Sequence, residues 1–176
     1  VDYIFYPEVS EMYKDEKTTV EVTSVSEGLC GGKRPGHFRG VATVVLKLIN
    51  IAKPDYAVFG TKDAQQVRVI EKMVEDLNVD VKIVRCEIKR EESGLALSSR
   101  NKYLSPEGKI KALALSRSIE SAKKLIAEGE RNPQKIKMEI EKVIKENAAE
   151  AVIDYIEIVN YETMKKIESK LPVLEK

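Results

Sequence analysis

Apolar positions recur along this chain with two different periods, and the changes of period divide it into elements. Residues 1–7, VDYIFYP, are a short apolar run closed by proline, which predicts a buried strand; EVSEMY after it fits one or two helical turns. KTTVEVTSV, residues 17–25, alternates polar with apolar side chains and is rich in β-branched residues, so it reads as a second strand. EGLCGGKRPGHFRG (27–40) reads as a glycine-rich loop. Over residues 41–52, Val41, Val44, Val45, Leu48 and Ile51 return at helical spacing, and Pro54 ends the helix. DYAVFG is then a strand ending at Gly60. A helix from about Lys62 presents Val67, Ile70, Met73, Val74 and Leu77 on one face and stops at Asn78, and VDVKIVRCEI (79–88) is the next strand. Helix, strand, helix, strand implies parallel strands joined by crossover helices.

The pattern changes after residue 88. Ser105-Pro106-Glu107 is a helix start: a serine cap, a proline in the first turn and an acid at the positive end of the dipole. That helix should run to about Glu128, with Ile110, Leu113, Ala114, Ile119, Ala122, Leu125 and Ile126 facing inward. Asn132-Pro133 starts another, ending near Asn147. AVIDYIEIVN (151–160) predicts a strand with Asp154 and Glu157 outward, YETMKKIES (161–169) a short helix, and LPVLEK the start of a further strand. The reading is half of a doubly wound sheet followed by a small α+β unit that looks cut short.

Charge and composition narrow the partners. The 30 basic and 29 acidic residues leave a net charge of +1, so the chain lacks the field that draws a general nucleic-acid or membrane binder to a polyanion. Cys30 and Cys86 form no CxxC pair, and with a single histidine they do not make a usual zinc site. Two reduced cysteines and no apolar run of about 20 residues point to a cytoplasmic protein.

Three stretches carry candidate chemistry. In FGTKDAQQ (59–66), Gly60 lets a ligand approach the backbone at a strand's carboxyl end, and the helix start offers free N–H groups to an anion. Lys62 adds a mobile charge, Asp63 a cap or a ribose contact, and Gln65 and Gln66 amide donors and acceptors. A solvated helix cap with surface glutamines explains the same residues. LSSRN (97–101) sets two hydroxyls beside a guanidinium, a kit suited to a triphosphate, although a polar loop capping the next helix would look alike. GGKRPGHFRG (31–40) holds His37 with Lys33, Arg34 and Arg39: the wall of an anionic site, or a surface loop. No serine, cysteine or carboxylate motif pairs with His37, so it is not read as a catalytic base.

Taken in order and spacing, RPGHFRGVATVVLKLINIAKPDYAVFGTKDAQQ, VEDLN and REESGLALSSRNKYLSPEG resemble the pantothenate synthetase (pantoate–β-alanine ligase) family, a likeness extending from VDYIFYPEVSEMY to IDYIEIV. The resemblance implies an α/β chain: residues 1–88 as part of a Rossmann-like nucleotidylyltransferase domain with a parallel sheet, and 89–176 as a small α+β lid. It implies ATP, with Mg2+, activating pantoate as pantoyl adenylate with loss of pyrophosphate, and attack by β-alanine to release AMP. Gly60, Thr61, Lys62, Asp63, Lys89 (through its backbone), Leu97, Ser98, Ser99 and Arg100 would line the ATP site. Lys62, Ser98, Ser99 and Arg100 would act on the phosphates and Gln66 on pantoate. A homodimer is implied, with residues 41–52 and the preceding strand as candidate surfaces. The family commonly has an acid or amide at Thr61, an aromatic at Ala64 and an apolar residue at Lys89. Its HxGH-type motif and a glutamine that holds pantoate and β-alanine are not in this chain, nor are its final strands. The expectation is therefore part of a longer synthetase, unable to complete the reaction alone. A related nucleotidylyltransferase with another acceptor, or a non-catalytic nucleotide-binding module, would carry the same loops.

Overall fold

A computed structural model describes residues 1–172. The chain passes through helices Val9–Met12 (α1), Leu29–Lys33 (α2) and His37–Ala52 (α3), strand Tyr56–Gly60 (β1), helix Ala64–Asp76 (α4), strand Lys82–Cys86 (β2), and helices Pro106–Ala127 (α5) and Pro133–Asn147 (α6). β1 and β2 pair in parallel, from Tyr56 opposite Lys82 to Gly60 opposite Cys86, with α4 as the crossover between them. This is the α/β arrangement with a parallel sheet that the period changes anticipate.

The local signals that ended each helix act as expected. Lys53 closes α3 in the left-handed conformation (φ 47°) one residue before Pro54, and Asn78 (φ 49°) takes the same conformation beyond α4. Ser105 accepts from the Gly108 N–H at 3.0 Å, and Asn132 from those of Gln134 and Lys135 at 2.9 and 3.4 Å, so α5 and α6 both begin on side-chain caps followed by proline.

Several expectations fail for one physical reason: alternation specifies which side chains are buried, not whether a strand partner exists. Residues 1–7 are extended but unpaired, and Tyr3, Ile4 and Tyr6 are exposed. Residues 17–25 form no ladder either. Val22 and Val25 are buried against α3 and α4, and the Val20 N–H donates to Thr43 Oγ1 at 2.9 Å. Within 151–160 the only pairing among the described residues is an isolated antiparallel bridge, Val159 to Lys166. The helix expected over 161–169 is instead a turn: the Asn160 side chain accepts from the Thr163 N–H at 3.0 Å, and buried Met164 adopts φ 54°. The loop at 27–40 is more ordered than anticipated, holding α2 and the first turn of α3, which starts at His37 rather than Val41. The strand expected from Leu171 falls largely outside the described residues.

Two hydrophobic clusters result. Phe38, Ala42, Ile49, Ile70, Met73 and Met164 belong to the first; Ala122, Ile136, Ile140 and Ile144 form the second. The buried stripe of α5 is Ala114, Ser118 and Ala122, at i, i+4 and i+8, while Ile110 and Ile119 are exposed. Small side chains let α6 approach closely, and the Ser118 hydroxyl satisfies itself on the Leu115 carbonyl at 2.9 Å. Residues 151–164 join the clusters: Ile153, Ile156 and Ile158 pack on the second, and Val159, Tyr161 and Met164 on the first. Arg85 fastens this junction by gripping Glu71 through two hydrogen bonds of 2.5 and 2.8 Å beneath the Tyr161 ring, and Arg68 donates to the Glu162 carbonyl at 3.0 Å.

Candidate anion-binding site

β1 delivers the chain to a 3₁₀ turn, Thr61–Asp63, at the carboxyl edge of the sheet, where open parallel sheets bind ligands. Beside it lies a cavity of about 470 Å³. Lys62, Asp63, Gln65 and Gln66 line it from this turn and the start of α4; Arg34 and His37 from just before α3 and its first residue; Arg100 from a second 3₁₀ turn, Ser99–Tyr103; Tyr155 and Glu157 from the segment 151–160.

The Arg100 loop is built to hold a short reach of chain still. Arg90 and Ala96 form an antiparallel bridge around Gly94 (φ 91°), and the Leu97 N–H donates to the Lys89 carbonyl at 2.9 Å. The Asn101 amide donates to Glu91 Oε1 and to the Ala96 carbonyl, both at 3.0 Å. Ser98 caps the turn Ser99–Tyr103 by accepting from the Arg100 N–H at 3.3 Å. The guanidinium of Arg100 makes no ion pair among the described residues.

The structure therefore brings Lys62, Asp63, Gln66 and Arg100 to one cavity from positions far apart in sequence. Gly60, Thr61, Lys89, Leu97, Ser98 and Ser99 are not among the residues lining it. The Thr61 hydroxyl donates to the Cys86 carbonyl at 3.0 Å and binds the two strand ends together, and the Lys89 carbonyl is engaged by Leu97. Gln65 is not a surface amide but is buried. Tyr155 and Glu157 are cavity residues that sequence reasoning missed, because a period-two pattern marks Glu157 as outward without saying what lies outside.

Cations dominate the cavity. Arg34, Lys62 and Arg100 face Asp63 and Glu157, and Lys62 lies 3.9 Å from Asp63. Lys166 and Lys137 approach the Glu157 carboxylate at 2.6 and 3.2 Å; the Lys166 hydrogen bond foremost holds its pKa below the usual value and keeps it ionised. Arg34 Nη1 lies 3.2 Å from His37 Nε2. An arginine only donates, so Nε2 accepts and the proton sits on Nδ1. Burial, then the Arg34 charge, lowers the His37 pKa from its ordinary 6.5, with Asp63 opposing.

That lowering has a sign. The unfolded chain takes up a proton on His37 more readily than the folded one, so the stabilisation is present above 6.5 and lost as pH falls from 6.5 through the lower folded value. His37 is the only histidine of the 176 residues, so its Cε1 proton resonance can be followed directly. Its titration midpoint is expected below 6.5 and should rise in Arg34→Gln. A midpoint unmoved by that substitution would refute the Arg34 contact.

Fold and site together define an α/β protein with a cationic cavity at the carboxyl edge of a parallel sheet. The chain belongs to the pantoate–β-alanine ligase family: the family described as "Pantoate-beta-alanine ligase" matches residues 1–175. The pantothenate synthetase of Caldicellulosiruptor saccharolyticus is 56% identical over 176 residues, covering 97% of this chain and 62% of that protein. That of Thermotoga petrophila is 54% identical over 169 residues, covering 96% and 60%. The solved pantothenate synthetase of Thermus thermophilus superposes with a TM-score of 0.91 at 39% identity, over 97% of this chain and 62% of that one. The Francisella tularensis pantoate-beta-alanine ligase, complexed with beta-gamma ATP and beta-alanine, superposes with a TM-score of 0.54 at 33% identity, over 76% and 50%. The chain thus spans about three-fifths of the length of the curated relatives it matches.

Proposed function

We propose that this chain supplies the phosphate- and pantoate-handling part of an AMP-forming ligase that joins pantoate to β-alanine. The observation that carries the reading is the convergence of Lys62, Gln66 and Arg100 on one cavity. In the first step a pantoate carboxylate oxygen attacks the α-phosphorus of ATP and the bond to pyrophosphate breaks, giving pantoyl adenylate. In the second the β-alanine amine attacks the acyl carbon, the amide forms, AMP leaves and the amine gives up a proton. Lys62 and Arg100 act on the leaving phosphates, whose charge grows as the bond breaks; preorganised cations lower that barrier without reorganising water. The Gln66 amide orients pantoate. Gly60, Thr61, Lys89, Leu97, Ser98 and Ser99 complete the nucleotide side through backbone and hydroxyl groups once ATP is bound. Mg2+ would accompany ATP and neutralise phosphate charge, and Asp63, which lines the cavity 3.9 Å from Lys62, is the carboxylate of this turn that could face it.

Residues 1–88 then form the nucleotide-binding unit and 89–176 the unit that covers it, with the turn at 159–164 fastening one to the other. The assembly is a cytoplasmic homodimer through the larger unit, and Leu48 and Ile51, exposed on α3, belong to its surface. No described helix is long and apolar enough to cross a membrane.

The test uses the full-length protein encoded by the natural reading frame. Label should exchange between pyrophosphate and ATP only when pantoate is present, and pantothenate and AMP should form when β-alanine is added. Exchange with a different acid and none with pantoate would favour a nucleotidylyltransferase with another acceptor. Saturable ATP binding without any exchange would favour a non-catalytic module.

A further inference from the structure

We propose that Gln65 is a positioning residue that sets the separation between the two cationic walls of the cavity; the substrates named in its test rest on the ligase reading. Its side chain is buried, with every polar atom engaged. Nε2 donates to the carbonyls of Val25, Glu27 and Gly28 at 3.1, 3.2 and 3.4 Å, and Oε1 accepts from the Cys30 N–H at 3.1 Å. Three carbonyls on one side and an N–H on the other leave a single amide orientation.

The loop so gripped leads directly to the opposite wall. The Gly32 N–H donates to the Gly28 carbonyl at 2.7 Å, Arg34 N–H to Gly31 at 3.3 Å and His37 N–H to Arg34 at 3.0 Å, a continuous run from the Gln65 contacts to the Arg34–His37 pair. No slack is available at Gly31: an added Cβ would collide with the Ser26 carbonyl oxygen and lie 3.1 Å from the Phe38 ring. Lys62, Gln65 and Gln66, from the turn before α4 and its first residues, all line the cavity, and the Gln65 amide at the same time grips the 25–30 loop, whose Leu29 and Cys30 line it too. One helical turn therefore presents one wall and ties down the other. Displacing a wall by about 1 Å is enough to cost up to about 100-fold where geometry is preorganised.

The experiment compares full-length wild type with Gln65→Asn, whose amide is one methylene short, and Gln65→Glu, which keeps the acceptor and loses the donors. The KM for pantoate is expected to rise about tenfold or more in both, while kcat/KM for ATP, held by Lys62 and Arg100 and not by the Arg34–His37 wall, changes by less than about threefold. The His37 midpoint should move as the wall relaxes. Unchanged KM values in a folded variant overturn the proposal. So does a loss of kcat that follows the folded fraction with KM intact, since that is a purely structural role. If neither Gln65 variant folds, Gly31→Ala displaces the same loop from its other side, and the same selective KM rise or its absence decides. If wild type shows no pantoate-dependent exchange, the ligase reading fails by itself. Binding of inorganic pyrophosphate and the His37 midpoint then test Gln65 without reference to pantoate: a shift in both upholds its role, and no shift overturns it.

Discussion

Arg100→Ala is expected to slow pantoate-dependent ATP–pyrophosphate exchange by about 10²–10³-fold, the loss seen when one preorganised donor to a developing charge is removed. The side chain is exposed and makes no ion pair among the described residues, so its charge is available to a ligand and not spent on the fold. Its backbone is held independently, by the Ser98 cap and by Asn101 bridging Glu91 and Ala96, so truncation should leave the loop in place. Thermal stability should accordingly stay near wild type, as for a surface substitution. Arg100→Lys should recover only part of the rate, because an ammonium gives a point charge without the paired donors of a guanidinium. Stopped-time assays at saturating ATP make the measurement. A rate within threefold of wild type would remove Arg100 from the phosphate site.

The second large effect concerns the fold that carries the cavity. Ile70 on α4 is fully buried, packed in the cluster that also holds Phe38, Ala42, Ile49, Met73 and Met164. Ile70→Ala leaves a cavity that the surrounding helices cannot fully close, and should cost about 2–5 kcal/mol. Against a typical domain stability of about 5–15 kcal/mol, that is enough to populate unfolded protein under mild conditions. Urea titration followed both by far-ultraviolet circular dichroism and by tyrosine fluorescence checks the value and whether the two signals coincide, as a two-state reading requires. A loss below about 1 kcal/mol would mean that the packing around Ile70 collapses to fill the space.

Where the sequence was legible, the signal was local. Helices α3 to α6 could be placed because their apolar stripes repeat at the helical period and their ends carry residues with definite roles, such as Ser105, Asn132 and the proline after each. β1 and β2 were legible as short apolar runs between those helices. Lys62, Gln66 and Arg100 could be singled out by residue type, and the family resemblance then supplied their roles. Residues 1–7, 17–25 and 151–160 have strand-like patterns yet among the described residues pair with nothing except at one bridge, because a ladder needs a neighbour that no local window contains. Ile110 and Ile119 were misread as inward because close approach of α6 selects Ala114, Ser118 and Ala122 over larger side chains.

By itself, then, the sequence determined the parallel α/β class, the ends of α3 and α4, the capped starts of α5 and α6, and the residue types fit to meet a phosphate, since each depends on periods and caps a few residues long. Only the tertiary structure decided that Lys62, Gln66 and Arg100 share a cavity with Arg34 and His37, that Glu157 faces it already neutralised by Lys137 and Lys166, and that Gln65, beside Gln66 in the lining, is buried with its amide bonded to the 25–30 loop. Those facts rest on contacts between segments more than a hundred residues apart, such as those of Arg34 and Glu157, and the packing that makes them is not written in any one of the segments.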